Sequence, residues 1–549
     1  MKGSDYILKC LKAEGVNTVF GYPGGAVIPL FDALYRDGTF NIYRTSHEQG
    51  ATHAADGFAR RSGKTGVCIA TSGPGATNTI TGIATAYSDS IPLVVITGQV
   101  GQQLLGKNSF QEVDTTGITM SITKYNILVT DPYKIGKAMQ MAFNIARSGR
   151  PGPVVIDITK DAMEKEIQDY EYRSLGIDND TRHLDYIEDI KEACDLIRNA
   201  KNPVIYAGGG VIRSNSSKLL TELANNLNIP VMNSTMGMGA FDMTDEKSYG
   251  IVGMHGKKTT NMLVYNADVI LGVGVRFSDR AIGHRRGFSK NAKVIHMDVD
   301  GREFNKNIEV EVEILGNFND ILKIMIDELK DVRFESSFIH EEISKSEENF
   351  IPKQYIEKIE EIFTDEAVVV TDVGQHQMWT MMYWKAKYPN RVITSGGQGT
   401  MGFGVGAAIG AKIAKPETPV VLITGDGSFR MNHNEVLTLS TYNIPVTIFV
   451  FNNNTLGMVR QWQGIFENGR YSQTDVYDSL NLEYLAKAYN VNYLGKINNV
   501  NELDKVLKSN NLESTVNIVE CMIDHDDWAY PMVAAGKSIN NIIERENQD

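Results

Sequence analysis

Short runs of valine and isoleucine recur along this chain, and each gives way to a glycine-rich turn and then a helical pattern. Residues 66–71, 93–97, 154–158 and 204–207 are four such runs, and 269–273, 368–371, 420–424 and 446–451 continue the series. They are apolar at successive rather than alternate positions, which suits strands buried on both faces. Parallel pairing of such strands requires crossover connections, and the intervening helical patterns supply them. The expected class is α/β, built from doubly wound parallel-sheet domains. A chain of 549 residues suggests three of them. Two polar stretches without apolar periodicity, 163–185 and 331–350, mark seams, so the domains expected are 1–165, 185–330 and 350–549.

The first and third segments share a plan. A small-residue helix over 50–61 leads to a strand, the turn SGPGATN, a helix and IPLVVITGQ. A glycine-rich helix over 402–412 leads to VVLITG, the turn DGS, a helix and IPVTIFVFNN. Any two doubly wound units look alike to this extent; two related domains with a ligand between them would also show it.

Charge and cysteine usage exclude several classes. A net charge of −13 leaves nothing to neutralise a row of phosphates, so nucleic acid is not an expected partner. Cys10, Cys68, Cys194 and Cys521 are far apart and form no CxxC pair, which fits neither zinc nor a disulfide framework and points to a reducing cytoplasm. Residues 1–15 read as an amphipathic helix rather than a signal peptide. No apolar run approaches the ~20 residues that span a bilayer, so no membrane is expected.

The chemistry centres on Gly425-Asp426-Gly427-Ser428 directly after one strand run and Asn452-Asn453-Asn454 directly after the next. A right-handed strand–helix–strand crossover brings both strand ends to one edge of the sheet. A carboxylate and an amide oxygen there suit Mg²⁺, a hard cation that prefers oxygen ligands. Gly425 and Gly427 let the backbone approach a diphosphate, whose oxygens complete the metal shell. GDG alone is a common turn; GDG and NN at successive strand ends are a far more specific pair.

GDGS…FNNN resembles the thiamine-diphosphate motif. Nearly the whole chain is similar to acetolactate (acetohydroxyacid) synthase catalytic subunits, through GYPGGAVIPLFDAL, HEQGATHAADGFAR, TSGPGATN, FQEVD, SGRPGPVVIDITKD, GMHG, GQHQMW and LGMVRQWQ. The resemblance implies pyrimidine-binding, central FAD-type and diphosphate-binding domains, in that order. It implies Asp426, the Asn453 side chain and the Thr455 carbonyl as metal ligands. It also places Gln375, His376, Gly399, Met401, Gly427, Ser428, Leu456, Gly457 and Met458 around thiamine diphosphate.

Glu48 alone would read as a solvated surface carboxylate. The resemblance makes it the acid that hydrogen-bonds the aminopyrimidine ring of the cofactor, a role typically worth about 10²–10⁴-fold in rate. Met458 and Trp462 at helical spacing alone would read as core. The resemblance instead places them, with Phe110 and Arg276, at the pocket for the second 2-keto acid, where a guanidinium suits a carboxylate. It adds Gly25, Gln111 and Lys160 near the reacting groups. Gly208-Gly209-Gly210, Met254, His255, Gly274, Arg276 and Asp298, with Arg150 from the first segment, correspond to an FAD site. A homodimer or dimer of dimers with its active site between subunits is implied, with a small regulatory subunit as a further partner.

Departures from the family pattern are Ser278 within Arg-Phe-Ser-Asp-Arg, Ile251-Val252, Gln398, Val405-Gly406, Arg430 and His433. The expected reaction is decarboxylation of pyruvate and its ligation to a second 2-keto acid, giving 2-acetolactate or 2-aceto-2-hydroxybutyrate for branched-chain amino acid biosynthesis. Sister enzymes such as pyruvate oxidase or sulfoacetaldehyde acetyltransferase are the alternative, and a non-catalytic binding protein is a third reading.

Overall fold

The computed structural model describes residues 1–176, 186–335, 338, 345–476 and 480–545. Parts of both seams, residues 177–185 and 336–344 except 338, lie outside the described residues, and so does the boundary at 185.

Three six-stranded sheets, each wholly parallel, account for eighteen strands. The first runs from Thr18–Gly21 to Val154–Thr159, the second from Pro203–Ala207 to Val312–Leu315, and the third from Val368–Thr371 to Asn517–Met522. Every valine- and isoleucine-rich run is a strand, with ends that shift by a residue or two; the run at 446–451, for example, is the strand Thr447–Asn452. Helices connect the strands on both faces.

Counted by chain order within each sheet, the first and third sheets have the same strand order, 2-1-3-4-6-5. The plan shared by the two segments is therefore a shared topology. The middle sheet differs, with order 3-2-1-4-5-6, the arrangement of dinucleotide-binding sheets.

The first and third domains are joined by the two small-residue helices, Glu48–Ser62 and Phe403–Ala414. Side chains beyond Cβ would hold two helices at the usual 8–10 Å; glycines here bring the backbones closer. A Cβ on Gly410 would fall on the Ala54 carbonyl and 2.5 Å from the Phe58 nitrogen. A Cβ on Gly57 would fall on the Ala407 carbonyl. Gly406 lies over His53 and the Gly50 carbonyl, which gives one family departure a packing reason. Ala51, Ala54, Ala55 and Phe58 share one core cluster with Phe403, Ala407, Ala408 and Ala411.

Buried ion pairs tie the junction together. Arg60 bridges Asp56 and Asp89 (2.8 Å to Asp89) and donates to the Thr394 carbonyl at 2.9 Å. Asp89 also accepts the N–H groups of Gly396 and Gly397, which fixes the start of the loop to Met401.

Candidate active site

In the third sheet the strand order reverses between the neighbouring strands Val368–Thr371 and Val420–Gly425. Ligands of open α/β sheets bind in the crevice outside the strand carboxyl ends at such a point. Asp426 opens the helix Asp426–Asn432 there, and Asn453 directly follows Thr447–Asn452. Asp426, Asn453 and Thr455 line one cavity with Gln375, His376 and Met401. Gly427, Ser428, Leu456, Gly457 and Met458 line it too. Gly399 lies one turn away, in a larger cleft.

Burial pushes the Asp426 carboxyl up to about 7, against the opposing pull of the Gly427 N–H and Arg430. Asn453 donates to the Gln375 side chain at 3.3 Å, and its own oxygen accepts only a long 3.3 Å bond from the Thr455 N–H. Thr455 is anchored through its hydroxyl to the Thr474 carbonyl at 2.9 Å. Glycine is required at 457, where a Cβ would meet the Gln375 side-chain oxygen and lie 2.7 Å from Asn453 Nδ2.

His376 is buried, its ring pushed to about 3 and so neutral, and its Nε2 has no hydrogen-bond partner. A partly buried carboxylate with no ion pair among the described residues and an unpartnered ring nitrogen in one cavity are groups that a bound ligand would complete. The donor set is all oxygen, with a helix N-terminus and close-approach glycines beside it, and it fits a hard divalent cation carrying a diphosphate. Clusters of three or more His, Cys, Asp or Glu are absent among the described residues, so a metal here depends on the amide and carbonyl ligands.

The expected residues of the first domain collect at the corresponding edge of their own sheet. Glu48 begins its helix, is 8% exposed rather than solvated, and accepts a 3.0 Å hydrogen bond from Asn78. Gly25, Gln111 and Glu48 surround the turn 71–75: Ala26 N–H donates to Thr71 at 3.1 Å, Gly73 packs on Gln111, and Gly75 packs on Glu48. Gln111 itself has φ 61°, a backbone conformation that side chains rarely adopt. Phe110 is 87% exposed, and Lys160 is half-exposed beside Glu164 at the end of strand Val154–Thr159. None of these lines the cavity around Asp426, whose lining residues all come from the third domain.

A cleft of about 750 Å³ opens where the three domains meet. Arg150, Gly209, Gly210, Met254, His255 and Gly274 line it, as do Arg276, Asp298, Met458 and Trp462. Gly208 lies behind this surface, packed on the Gly274 carbonyl. Arg150 reaches across the junction to Glu303 at 2.6 Å. Burial, with Arg150 nearby, moves Arg276 below the usual guanidinium range. Met458 and Trp462 sit one turn apart on Gly457–Phe466, and Met458 lines both the cleft and the Asp426 cavity. The Arg280 guanidinium lies over the Trp462 ring at 5.3 Å, a cation–π distance. Ser278, Ile251, Val252 and Gln398, four of the departures, also face this cleft. His433 instead meets the Tyr489 hydroxyl at 3.0 Å.

Residue-by-residue reading missed three positioning groups. Asp372 is fully buried and accepts the N–H groups of Gly402 (2.8 Å) and Gly404 (3.2 Å), pinning the turn that carries Met401. Its signal was available: it follows VVVT as Asp426 follows the run VLITG. Glu435, also fully buried, accepts the N–H groups of His47 (2.9 Å) and Ser46 (3.1 Å) just before Glu48. Ser234-Thr235-Met236, after the strand Val231–Asn233, line the cleft.

Comparisons with known proteins name the family. The family model described as thiamine pyrophosphate enzyme, N-terminal TPP binding domain, matches residues 1–118. The models for the central domain and the C-terminal TPP binding domain match 190–325 and 372–520. The probable acetolactate synthase large subunit of Methanocaldococcus jannaschii is 44% identical over 512 residues, covering 89% of this chain and 86% of that protein. The acetolactate synthase large subunit of Haemophilus influenzae is 39% identical over 568 residues, covering 100% and 99%. The acetolactate synthase isozyme 3 large subunit of Escherichia coli is 41% identical, covering 89% and 88%.

Proposed function

This chain belongs to the acetolactate synthase large subunits of the thiamine pyrophosphate enzymes, and we propose that its two strand-end clusters, one from each of two copies, form one working site. As a member of that family it is an enzyme, an acetolactate synthase that condenses pyruvate in a thiamine-diphosphate-dependent reaction. The relatives' names do not favour pyruvate oxidase or sulfoacetaldehyde acetyltransferase.

Bound thiamine diphosphate supplies the nucleophilic carbon and the electron sink for loss of CO₂ and carbon–carbon bond formation. The chain's residues do the rest. Asp426, Asn453 and the Thr455 carbonyl hold Mg²⁺, while Gly427 and Ser428 at the helix N-terminus receive the diphosphate. Glu48, held by Asn78 and by the turn that Glu435 clamps, keeps a proton at the aminopyrimidine ring. Met401 supports the cofactor from the cavity wall. Arg276 receives the acceptor carboxylate, and Trp462 with Met458 shapes the pocket for its alkyl group. Gly25, Phe110, Gln111 and Lys160, from the other copy, close the site.

The observation that carries this reading is the convergence of Asp426, Asn453 and an unpartnered His376 nitrogen on one cavity to which the first domain contributes nothing. Large apolar side chains lie exposed on both domains, including Phe110, Met120, Met431 and Val459, as a surface covered by a second copy would have. FAD fits the cleft: the 3-2-1-4-5-6 sheet, Gly209 and Gly210 at its switch point and the unpartnered Nδ1 of buried His255 support it. Domain limits of 1–165, 185–330 and 350–549, a cytoplasmic role in branched-chain amino acid biosynthesis and a dimer or dimer of dimers complete the proposal. The words "large subunit" in the relatives' names support a smaller partner. Among the described residues no helix is long and apolar enough to cross a membrane.

The test is incubation of the purified protein with pyruvate, omitting thiamine diphosphate, Mg²⁺ or FAD in turn and measuring acetolactate. Product that vanishes without either of the first two supports the assignment. CO₂ release without acetolactate would refute it in favour of a sister decarboxylase.

A further inference from the structure

The three-domain cleft holds more positive charge than its walls neutralise. Arg150 is paired with Glu303, and Arg147 with Glu14. Asp89 spends its carboxylate on Arg60 and on two backbone N–H groups. Among the described residues, no carboxylate pairs with either Arg213 or Arg276.

Arg213 is the sharper anomaly. It ends the short helix Gly209–Arg213 that follows the first strand of the middle sheet, and it lines the cleft. Among the described residues its side chain makes one hydrogen bond, a 2.7 Å donation to the Asp89 carbonyl, so most of the five guanidinium donors remain. Burial and the neighbouring charges of Arg60 and Arg276 drive its proton affinity down to about 10, so it stays charged at neutral pH at a cost. Asp89 and Asp56 offset that shift in part, and a cation so placed with no carboxylate in ion-pair contact is half of an ion pair.

Its position names the other half. The middle sheet reverses between its first and fourth strands, Pro203–Ala207 and Val269–Val273, which are hydrogen-bonded neighbours. Arg213 follows the first and Arg276 the fourth, so the two guanidiniums flank the switch point where dinucleotide phosphates lie in such sheets. Glycines at 210 and 274 keep the floor between them open, with Gly210 only 2.7 Å from where a Gly274 Cβ would stand. Asp298, at the end of the fifth strand, lines the same cleft.

We infer that Arg213 is a phosphate-binding residue of this chain and that, with Arg276, it selects a dinucleotide diphosphate over an uncharged flavin. Each guanidinium faces one phosphate charge, so the empty cleft carries the repulsion and the filled cleft does not. The inference rests on the flavin reading of the cleft and deepens it.

The test measures binding, not turnover. The full-length protein, stripped of flavin, is titrated with FAD and with riboflavin by flavin fluorescence, as the native chain and as Arg213→Met and Arg213→Lys. Arg213→Met should weaken FAD about ten- to a hundredfold, the loss of a charge-assisted contact, and leave riboflavin within about twofold. Arg213→Lys should recover part of the loss. The flavin-free Arg213→Met protein should melt no lower than the native one, because a repelled charge has gone. FAD binding unchanged by Arg213→Met would overturn the inference and leave the flavin reading standing. Equal loss for FAD and riboflavin, or a flavin-free variant that melts several degrees lower, would assign Arg213 to packing and overturn it too. A native chain that binds no FAD would overturn both.

Discussion

A pair of inactivating substitutions can decide whether one working site draws on two chains. Glu48→Gln removes the carboxyl proposed for the aminopyrimidine, and Asp426→Asn removes the carboxylate proposed as a metal ligand. Each alone should lower acetolactate formation by about 10²–10⁴-fold. Co-expressed with different affinity tags and purified through both, the two variants would give the proposed dimer with one chain of each kind. If Glu48 of one copy faces Asp426 of the other, every mixed dimer has one site with both groups intact and one with both removed. Turnover per dimer should then return to about half of wild type, since C2 partners present identical surfaces and contribute equally. The structure motivates this outcome: the Asp426 cavity is walled by the third domain alone, and Glu48 faces Gly75 and Asn78 instead. Mixed dimers no more active than the sum of the single variants would refute the reasoning, because both groups of a site would then come from one chain.

Three other outcomes follow from the same geometry. Glu435→Gln keeps one acceptor oxygen but turns an N–H toward Ser46 or His47; hydrogen bonds to charged groups are worth about 1.5–3 kcal/mol, and chemical denaturation should show a loss of that order together with slower turnover at saturating thiamine diphosphate. Unchanged stability would mean that the carboxylate does not clamp the turn. Asp426, raised by burial from 3.8 to about 7, holds its proton more tightly folded than unfolded. The stability gained by protonating the empty site is therefore fully present below about 4 and is lost as pH rises through about 7. In the proposed site Mg²⁺ would displace that proton, so its affinity should climb with pH up to about 7 and level off above, by calorimetry at fixed thiamine diphosphate; a flat profile from pH 5.5 to 8 would contradict it. Gly410→Ala places a methyl on the Ala54 carbonyl, and overpacking of this kind costs about 1–3 kcal/mol; a melting temperature equal to wild type would show that the helices can part freely.

The strands that were legible in the sequence are those buried on both faces, because only there does every position have to be apolar. Val420–Gly425 and Leu93–Gln99 are buried at every residue and were plain. Asn492–Ile497 and Asn41–Arg44 lie at sheet edges, half-exposed and of mixed polarity, so neither forms an apolar run of that kind. The cavity between the strand ends was legible because it is local: Asp426 and Asn453 sit at successive strand ends, and chain order predicts their meeting. Glu435 was not, since its partners Ser46 and His47 lie almost four hundred residues away and no local pattern marks a carboxylate that caps another domain's helix. Arg213 was missed for a related reason. Its sequence neighbours are those of any helix end, and only the folded cleft reveals that no carboxylate among the described residues forms an ion pair with it.

Repeating one sheet within one chain also explains why the glycines between the domains matter to chemistry. The run from Asp426 continues through its helix to Glu435, nine residues on, and Glu435 closes on the turn before Glu48. Helices Glu48–Ser62 and Phe403–Ala414, locked by Gly57 and Gly410, hold that clamp in register. If Asp426 and Glu48 of one chain serve different sites, this packing fixes the relation between two sites rather than the geometry within one. A substitution that parts the helices therefore moves Glu48 relative to its own Asp426, while the cavity proposed for the metal keeps all its walls. Metal and diphosphate binding should survive such a substitution better than turnover does. That split follows from the topology, because the cavity belongs to one sheet and the carboxyl that completes it belongs to another.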